Sequence, residues 1–360
     1  MGARDRFRPQ FMKPSIPVRA YHRILRPFRR FVRNREVARA TRDLAAMRLE
    51  SPVVVILMSG GLHVARLARA RIPAGRPVLL VFNGLDRWES AWGRLNLAAD
   101  GYLGFTTTLR HSDIINLLVD HLPTNFYLLD YDCFVLNDAW FARLGPLDER
   151  TMLSGCFPYT VAGTEVELAH TFLLYINRGL LCRLKARFGI GAEEATWETL
   201  PEAARIGIRK SGLADGIYPE PDRPYFDTLR ALLLAGIGDG MKCAIVGRLP
   251  AHPVPNTEMV HVGGVSPRGH IFNFWLFRGA YFWRKALQHL ADAELGRHYR
   301  AKFGNADPAA LAAEFPGFAS EMGKDLDALF DEIIRTSPCL PGNRTPPSAP
   351  GESLGTRERT

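Results

Sequence analysis

Residues 126–138 read FYLLDYDCFVLND, an apolar run that ends on Asp130-Tyr131-Asp132 and then turns apolar again. The run predicts a buried strand, and a lone carboxylate at the end of such a strand is costly unless something pairs with it. Two carboxylates at i and i+2 can instead share a hard divalent cation, an arrangement suited to holding a diphosphate. The chain must therefore fold so that a central strand ends at a ligand-facing edge.

The segments around it predict what kind of sheet this is. Residues 52–58, PVVVILM, form a β-branched run without alternation, as suits a strand buried on both faces. Ser59-Gly60-Gly61 turns the chain into LHVARLARARI, which has helical spacing, and a second buried strand follows at residues 77–82, closed by Asn83-Gly84. This order predicts a βαβ start and a parallel sheet covered by helices. Ligands of such sheets gather beyond the carboxyl ends of the strands. Ser59 and Gly60 would let a nucleotide approach the backbone closely, and would equally serve a tight turn. The segment is neither a dinucleotide fingerprint nor a P-loop.

Residues 85–97 carry Trp88 and Trp92 on one helical face, and residues 112–122 predict a helix. Arg110 stands just before that helix, where it either reaches a phosphate or lies on the surface. MLSGCFPYT and residues 171–176 predict further strands. Asn177-Arg178-Gly179 then turns into the helix LLCRLKARF, and the polar cluster at 175–179 is expected where the strand opens to the ligand face. Residues 193–225 are expected to be irregular loops over the substrate, and Asp227-Thr228 to open the helix TLRALLLAG, with Asp227 a natural N-cap. Residues 243–246 predict a short strand. The aromatic run Phe272, Phe274, Trp275 and Phe277 reads as core, and residues 283–330 as helical with breaks at Gly304, Pro308 and Pro316. The class is α/β: a mostly parallel sheet flanked by helices, with an irregular region at 193–225 and a helical C-terminal part.

Charge divides the chain more sharply than composition does. Residues 1–48 hold 14 Arg or Lys against 3 Asp or Glu, whereas the whole chain is +9, so the body beyond residue 48 is nearly neutral. We read residues 1–48 as a basic arm, 49–335 as the catalytic body, and 336–360, rich in proline, glycine and small polar residues, as a disordered tail. Pro27 is expected to interrupt any single long helix in the arm. A short basic helix from about Arg29 onward would rest either on an anionic membrane face or on its own domain. Nucleic acid is not an expected partner, because no recognised motif accompanies the charge. No apolar run reaches bilayer length, no secretory signal is evident, and Cys133, Cys156, Cys182, Cys243 and Cys339 form no C-x-x-C pair. These features predict a cytoplasmic protein, with contact to the inner membrane face as the arm's alternative.

The early βαβ, LLDYDCFVLN, INRG and the HVGG that begins at His261 together resemble the glycosyltransferases of the GT-A fold, over about residues 50–280. The nearest branch is the glycogenin-like and lipopolysaccharide galactosyltransferase group. The resemblance implies nucleotide binding by the first region, a divalent metal on the D-x-D motif, and a downstream histidine joining that metal. The branch has a glycine three residues after the histidine and a lysine three further on. Here Gly264 agrees, Pro267 stands at the lysine position, and Arg268 follows it. A UDP-sugar donor and a glycan or glycolipid acceptor are likewise implied by resemblance.

The same residues carry a physical logic of their own. A nucleotide-sugar donor leaves as a nucleoside diphosphate, and Mn²⁺ or Mg²⁺ would stabilise the charge that grows as the glycosidic bond breaks. Asp132 is the more direct ligand. Asp130 reaches the ion through water or holds the donor, and His261 completes the set, since Mn²⁺ accepts imidazole more readily than Mg²⁺ does. Gly264 lets the backbone lie against a phosphate. Arg268, and then Arg178, are candidates to offset diphosphate charge. Asn177 is either a donor-sugar contact or a turn residue. An inverting reaction needs a carboxylate base, for which Asp227 and Glu220 are candidates; a retaining one needs none. Two other readings compete with a hexosyltransferase: a sugar-phosphate nucleotidyltransferase, and a non-catalytic scaffold on the same fold.

Overall fold

The computed structural model describes residues 16–335 except 146, 222, 252–255, 266, 269–270, 273–276, 305–306, 308, 311–312 and 314–322, with side chains from residue 30 onward other than at 267–268, 271–272, 277 and 323–324. The tail from residue 336 with Cys339, and the breaks expected at Pro308 and Pro316, lie outside the described residues.

Strands β1 (Val53–Met58), β2 (Val78–Asn83), β3 (Gly101–Phe105) and β4 (Phe126–Asp130) alternate with helices α2 (Leu62–Arg69), α3 (Arg87–Asn96) and α4 (His111–His121), after an N-terminal helix α1 (Ile16–Ala46). The chain continues through β5 (Cys133–Val135), α5 (Ala139–Arg143), β6 (Thr151–Gly155), the small hairpin β7 (Pro158–Thr160) and β8 (Glu167–Ala169), and β9 (Leu173–Ile176). Helices α6 (Arg178–Phe188), α7 (Glu202–Lys210) and α8 (Arg230–Gly238) follow, then β10 (Lys242–Ile245) and β11 (Met259–His261). Beyond a short pair, β12 (Pro267–Arg268) and β13 (Ile271–Phe272), lie α9 (Phe277–Leu290), α10 (Ala293–Phe303) and α11 (Gly323–Arg335).

Seven strands form one sheet in the order β10-β6-β9-β4-β1-β2-β3. All neighbouring pairs are parallel except those of β9, which runs antiparallel to both β4 and β6. The lack of alternation in PVVVILM follows from burial on both faces. Val53, Val55 and Leu57 join a core with α2 and the C-terminal helices, while Val54 and Ile56 join one with α1, α4 and α6 to α8. The fold is thus α/β, a mainly parallel sheet between two helical layers.

Three expectations need correction. Helix α1 runs unbroken through Pro27. A proline inside a helix removes one backbone hydrogen bond, at about 3 kcal/mol, and here the helix is anchored at its other end. Glu36, Ala40 and Leu44 are buried against the body, and the Glu36 carboxylate accepts from Thr106 N (2.8 Å), Thr106 Oγ1 (2.6 Å) and Thr107 Oγ1 (2.9 Å). Residues 193–225 are not wholly irregular, since α7 lies within them and packs on α8, where Gly207 lets the two backbones approach. Asp227 does not cap a helix with its side chain. Helix α8 starts at Arg230, its N-cap is Leu229 in the left-handed region (φ 69°), and Asp227 contributes its backbone carbonyl to Arg230 N. Strand β3 had no counterpart in the sequence reading: GYLGF is short and rich in glycine, and pairing with β2 makes it a strand.

Candidate metal and donor site

Strand β4 carries its apolar run FYLL through the sheet centre and delivers Asp130 at its carboxyl end, one residue before buried Tyr131 and two before Asp132. The chain then reverses into β5, whose partner is β11. The antiparallel register sets His261 opposite Cys133, and Val262 N donates to Asp132 O (3.0 Å) to extend that ladder. The imidazole is thereby brought over the D-x-D turn.

His261 Nε2 lies 3.4 Å from Asp132 Oδ1 and 3.9 Å from Asp130 Oδ2. One ligand atom from each of the three residues lies within 4.8 Å of the others. Burial, and then the neighbouring Asp132 charge, push the Asp130 carboxyl well above the usual carboxylate range. His261 Nδ1 is buried without a hydrogen-bond partner among the described residues. Two crowded carboxylates and an imidazole make a donor set that fits a hard divalent ion such as Mn²⁺, which relieves the repulsion between them.

Strand β9 supplies the next shell, and its reversed direction is what allows this. Its amino end lies beside the carboxyl end of β4, so Phe172 O accepts from Asp130 N (2.9 Å). The Phe172 ring stacks on His261 at 3.5 Å between centroids, with 16° between planes. His170 also stacks on Phe172 (4.9 Å), Tyr159 packs on His170 (4.8 Å), and the Arg230 guanidinium lies 4.5 Å from the Tyr159 centroid. Burial, then the charges of Arg230 and His261, hold His170 down to about 4, so it is neutral near pH 7.

His170 lies within electrostatic reach of Arg223, Asp227 and Arg230 as well as of His261. Asp227 accepts from Arg223 and from Thr228 N (2.7 Å), while Glu220 pairs with Arg223 Nε (2.7 Å) and approaches Arg230 Nε (3.8 Å). The Asp227 side chain is the more exposed of the two, at 26% against 17%.

The remaining candidates are distributed unevenly. Ser59 and Gly60 follow β1, which pairs with β4, and so lie at the same sheet edge as Asp130. Their polar groups are already committed: Ser59 Oγ and Gly60 N donate to the fully buried Glu89 (2.9 and 2.8 Å), and Gly60 O accepts from Trp283 Nε1 (2.6 Å). Gly61 N is bonded to Met58 O, and a Cβ at Gly61 would lie 2.6 Å from the Tyr131 ring. Arg110 is tied to Asp113 at 2.9 Å on the surface. Gly264 has φ 69° and lies against Gly279, where a Cβ would meet its carbonyl at 2.5 Å; the glycines thus serve close packing of this loop on α9. The Arg268 backbone lies in β12, and its side chain is outside the described residues.

Asn177 and Arg178 are not brought to the cluster. Because β9 is antiparallel, Ile176 sits beside Phe126, at the far end of β4 from Asp130. Asn177 caps α6 by accepting from Leu180 N (3.1 Å), and Arg178 donates to Val119 O and Asp120 O (both 2.7 Å). The sequence reading missed Arg278. Its Nε donates to Val262 O (2.9 Å), burial lowers its pKa, and the Asp132 charge opposes that shift. No local spacing around RGA marks this residue, which reaches the cluster only because α9 packs under the loop after β11.

A second group, Asp86, Glu89 and His298, also has metal-like spacing. Lys302 Nζ already supplies its cation, 2.6 Å from Asp86 and 2.8 Å from Glu89.

Residues 27–181 match the family model described as the StrH glycosyltransferase N-terminal domain. This span is less than half of the chain and contains Asp130 and Asp132 but not His261. No curated protein matches. Among solved structures, the glycosyltransferase GlyE of Streptococcus pneumoniae TIGR4 is similar at 16% identity and a TM-score of 0.26, over 43% of this chain and 41% of that one. Its apo form is similar at the same identity and TM-score, over 38% of each chain. These likenesses span about two-fifths of either protein. The family match supports a glycosyltransferase.

Proposed function

We propose that this chain is a metal-dependent glycosyltransferase of GT-A type, moving a hexose from a nucleotide sugar, a UDP-sugar by resemblance, to a hydroxyl of a glycan or glycolipid. One observation carries the reading: Asp130, Asp132 and His261 converge within 4.8 Å at the carboxyl end of the central strand. In this reading Asp132 and His261 hold Mn²⁺ or Mg²⁺ directly, and Asp130 holds it directly or through water. The ion, when bound, offsets the negative charge that accumulates on the departing diphosphate.

The protein's own groups do the rest. Arg278, held on Val262 O by its Nε, has a guanidinium whose charge is felt at Asp132, and it is the cation this reading assigns to a phosphate oxygen. Arg268, whose backbone lies in β12, is the further cation this reading assigns to the diphosphate, and Gly264 keeps the loop after β11 close to the phosphates. Phe172 fixes the His261 ring plane through its stack and the Asp130 backbone through its carbonyl. Ser59, Gly60 and Arg110 border the nucleotide, the first two by shape, since their donors are committed to Glu89. On the acceptor side Asp227, the more accessible carboxylate, takes the hydroxyl proton once released from Arg223, and Glu220 keeps Arg223 and Arg230 in place. Asn177 stays a helix cap.

The nucleotidyltransferase alternative gains no support. A triphosphate cradle needs free backbone N–H groups in the loop after β1, and those of Gly60 and Gly61 are bonded within the protein.

Calorimetry with UDP tests the reading. Binding is expected with Mn²⁺ or Mg²⁺ and not with chelator, and Asp132→Asn should abolish the metal-dependent part. If no nucleoside diphosphate binds under any metal condition and D132N behaves as the unaltered chain does, the transferase reading fails.

A further inference from the structure

Helix α1 is longer than its docking site, and its direction is set by the contacts of its second half. Glu36 bonds to Thr106 and Thr107, just past the carboxyl end of β3, and Arg33 pairs with Asp113 in the first turn of α4 (2.8 Å). At the other end, Met47 and Leu49 lie against Gly101, where β3 begins. Helix α1 therefore runs antiparallel to β3. The part of the helix before Arg33, from Ile16, leads away beyond the carboxyl ends of the parallel strands, the edge where Asp130 sits.

That leading stretch is chemically distinct from the rest of the surface. Residues 6–35 contain no carboxylate, while residues 16–32 carry Arg19, Arg23, Arg26, Arg29 and Arg30 among Tyr21, Ile24, Leu25, Phe28 and Phe31. At 1.5 Å rise per residue, 17 helical residues reach roughly 25 Å. Where side chains are described, the face opposite the docked Glu36, Ala40 and Leu44 continues the same pattern. Phe31 is 63% exposed, and Arg35 and Arg42 are exposed at i+4 and i+11 on that face. A large aromatic ring held in water, in a stretch rich in arginine whose own sequence from 6 to 35 holds no carboxylate, complements a surface that is anionic outside and apolar just beneath.

We propose that the N-terminal stretch of α1 is a docking surface for anionic phospholipid headgroups, with Phe31 and the apolar residues before it entering the interface. It holds the protein with the carboxyl edge of its sheet toward the membrane. The docking stands on the helix alone. Its consequence rests on the transferase reading: the acceptor is then a lipid-linked saccharide presented at the bilayer surface, next to the carboxylate–imidazole cluster.

Co-sedimentation of the full chain with vesicles tests this. We expect binding to phosphatidylcholine vesicles containing phosphatidylglycerol, no binding to phosphatidylcholine alone, and loss with rising salt. The double variant R29E/R30E should lower partitioning by about fivefold or more for each arginine removed, and Phe31→Glu should lower it further at unchanged helix content by circular dichroism. Lack of binding to the anionic vesicles, equal binding to neutral ones, or unchanged binding by R29E/R30E would each overturn the proposal. So would displacement from the vesicles by RNA at equal phosphate concentration. D132N should bind vesicles like the unaltered chain, so loss of docking and loss of metal-dependent nucleotide binding are separate failures.

Discussion

Acid should loosen the joint between the N-terminal sheet and the C-terminal helices, and His63 is where this can be measured. The residue is fully buried on α2, donates Nε2–H to Trp283 O (2.8 Å), and packs edge-on against the rings of Trp283 and Tyr299. Burial holds its pKa down to about 3 from an ordinary 6.5, with the Trp283 carbonyl a weaker opposing influence. Between these two values the unfolded chain binds a proton that the folded chain refuses, so stability falls as pH drops below 6.5. Linkage at 1.36 kcal/mol per pH step makes the His63 contribution about 2 kcal/mol between pH 7 and pH 5. Urea unfolding at the two pH values should therefore show His63→Gln losing about 2 kcal/mol less than the unaltered protein. Its stability at pH 7 is lower, because the replacement packs less well. An equal loss in both proteins would refute the argument, since it would mean that His63 is protonated in the folded state or already shielded in the unfolded one.

Two further outcomes follow from the polar groups around the site. Lys302→Met leaves Glu89, which is fully buried, beside Asp86 with no cation between them. It should cost about 2–4 kcal/mol in denaturant unfolding, with most of that recovered in Lys302→Arg. Arg278→Met should weaken nucleoside diphosphate affinity by about tenfold or more in calorimetry. Mn²⁺ affinity measured without nucleotide should not weaken, because the substitution removes a positive charge that acts on Asp132.

Much of the architecture was legible in short stretches of sequence. PVVVILM, VLLVFN and FYLLD predict buried strands because each is apolar at consecutive positions, and the glycine turn and helical spacing of 62–72 predict the βαβ start. Asp130 and Asp132 are marked by the cost of a carboxylate at the end of such a strand. These are local properties, written in which residues neighbour one another along the chain.

What only the folded chain decided is direction and company. LLYI reads the same whether its strand runs up or down, and its antiparallel placement moves Asn177 and Arg178 to the far end of the sheet while bringing Phe172 and His170 to the near one. The β5–β11 pairing is what carries His261, expected from the resemblance of HVGG, to the carboxylates, while Arg278 arrives through the packing of α9, a contact that no spacing in the sequence encodes. Pro27 argued for a broken helix, but docking of Glu36, Ala40 and Leu44 anchors one that continues through it. Local chemistry sets which segments must be buried and which groups need partners. Long-range packing, in which many weak contacts outvote any single propensity, selects which partners they meet.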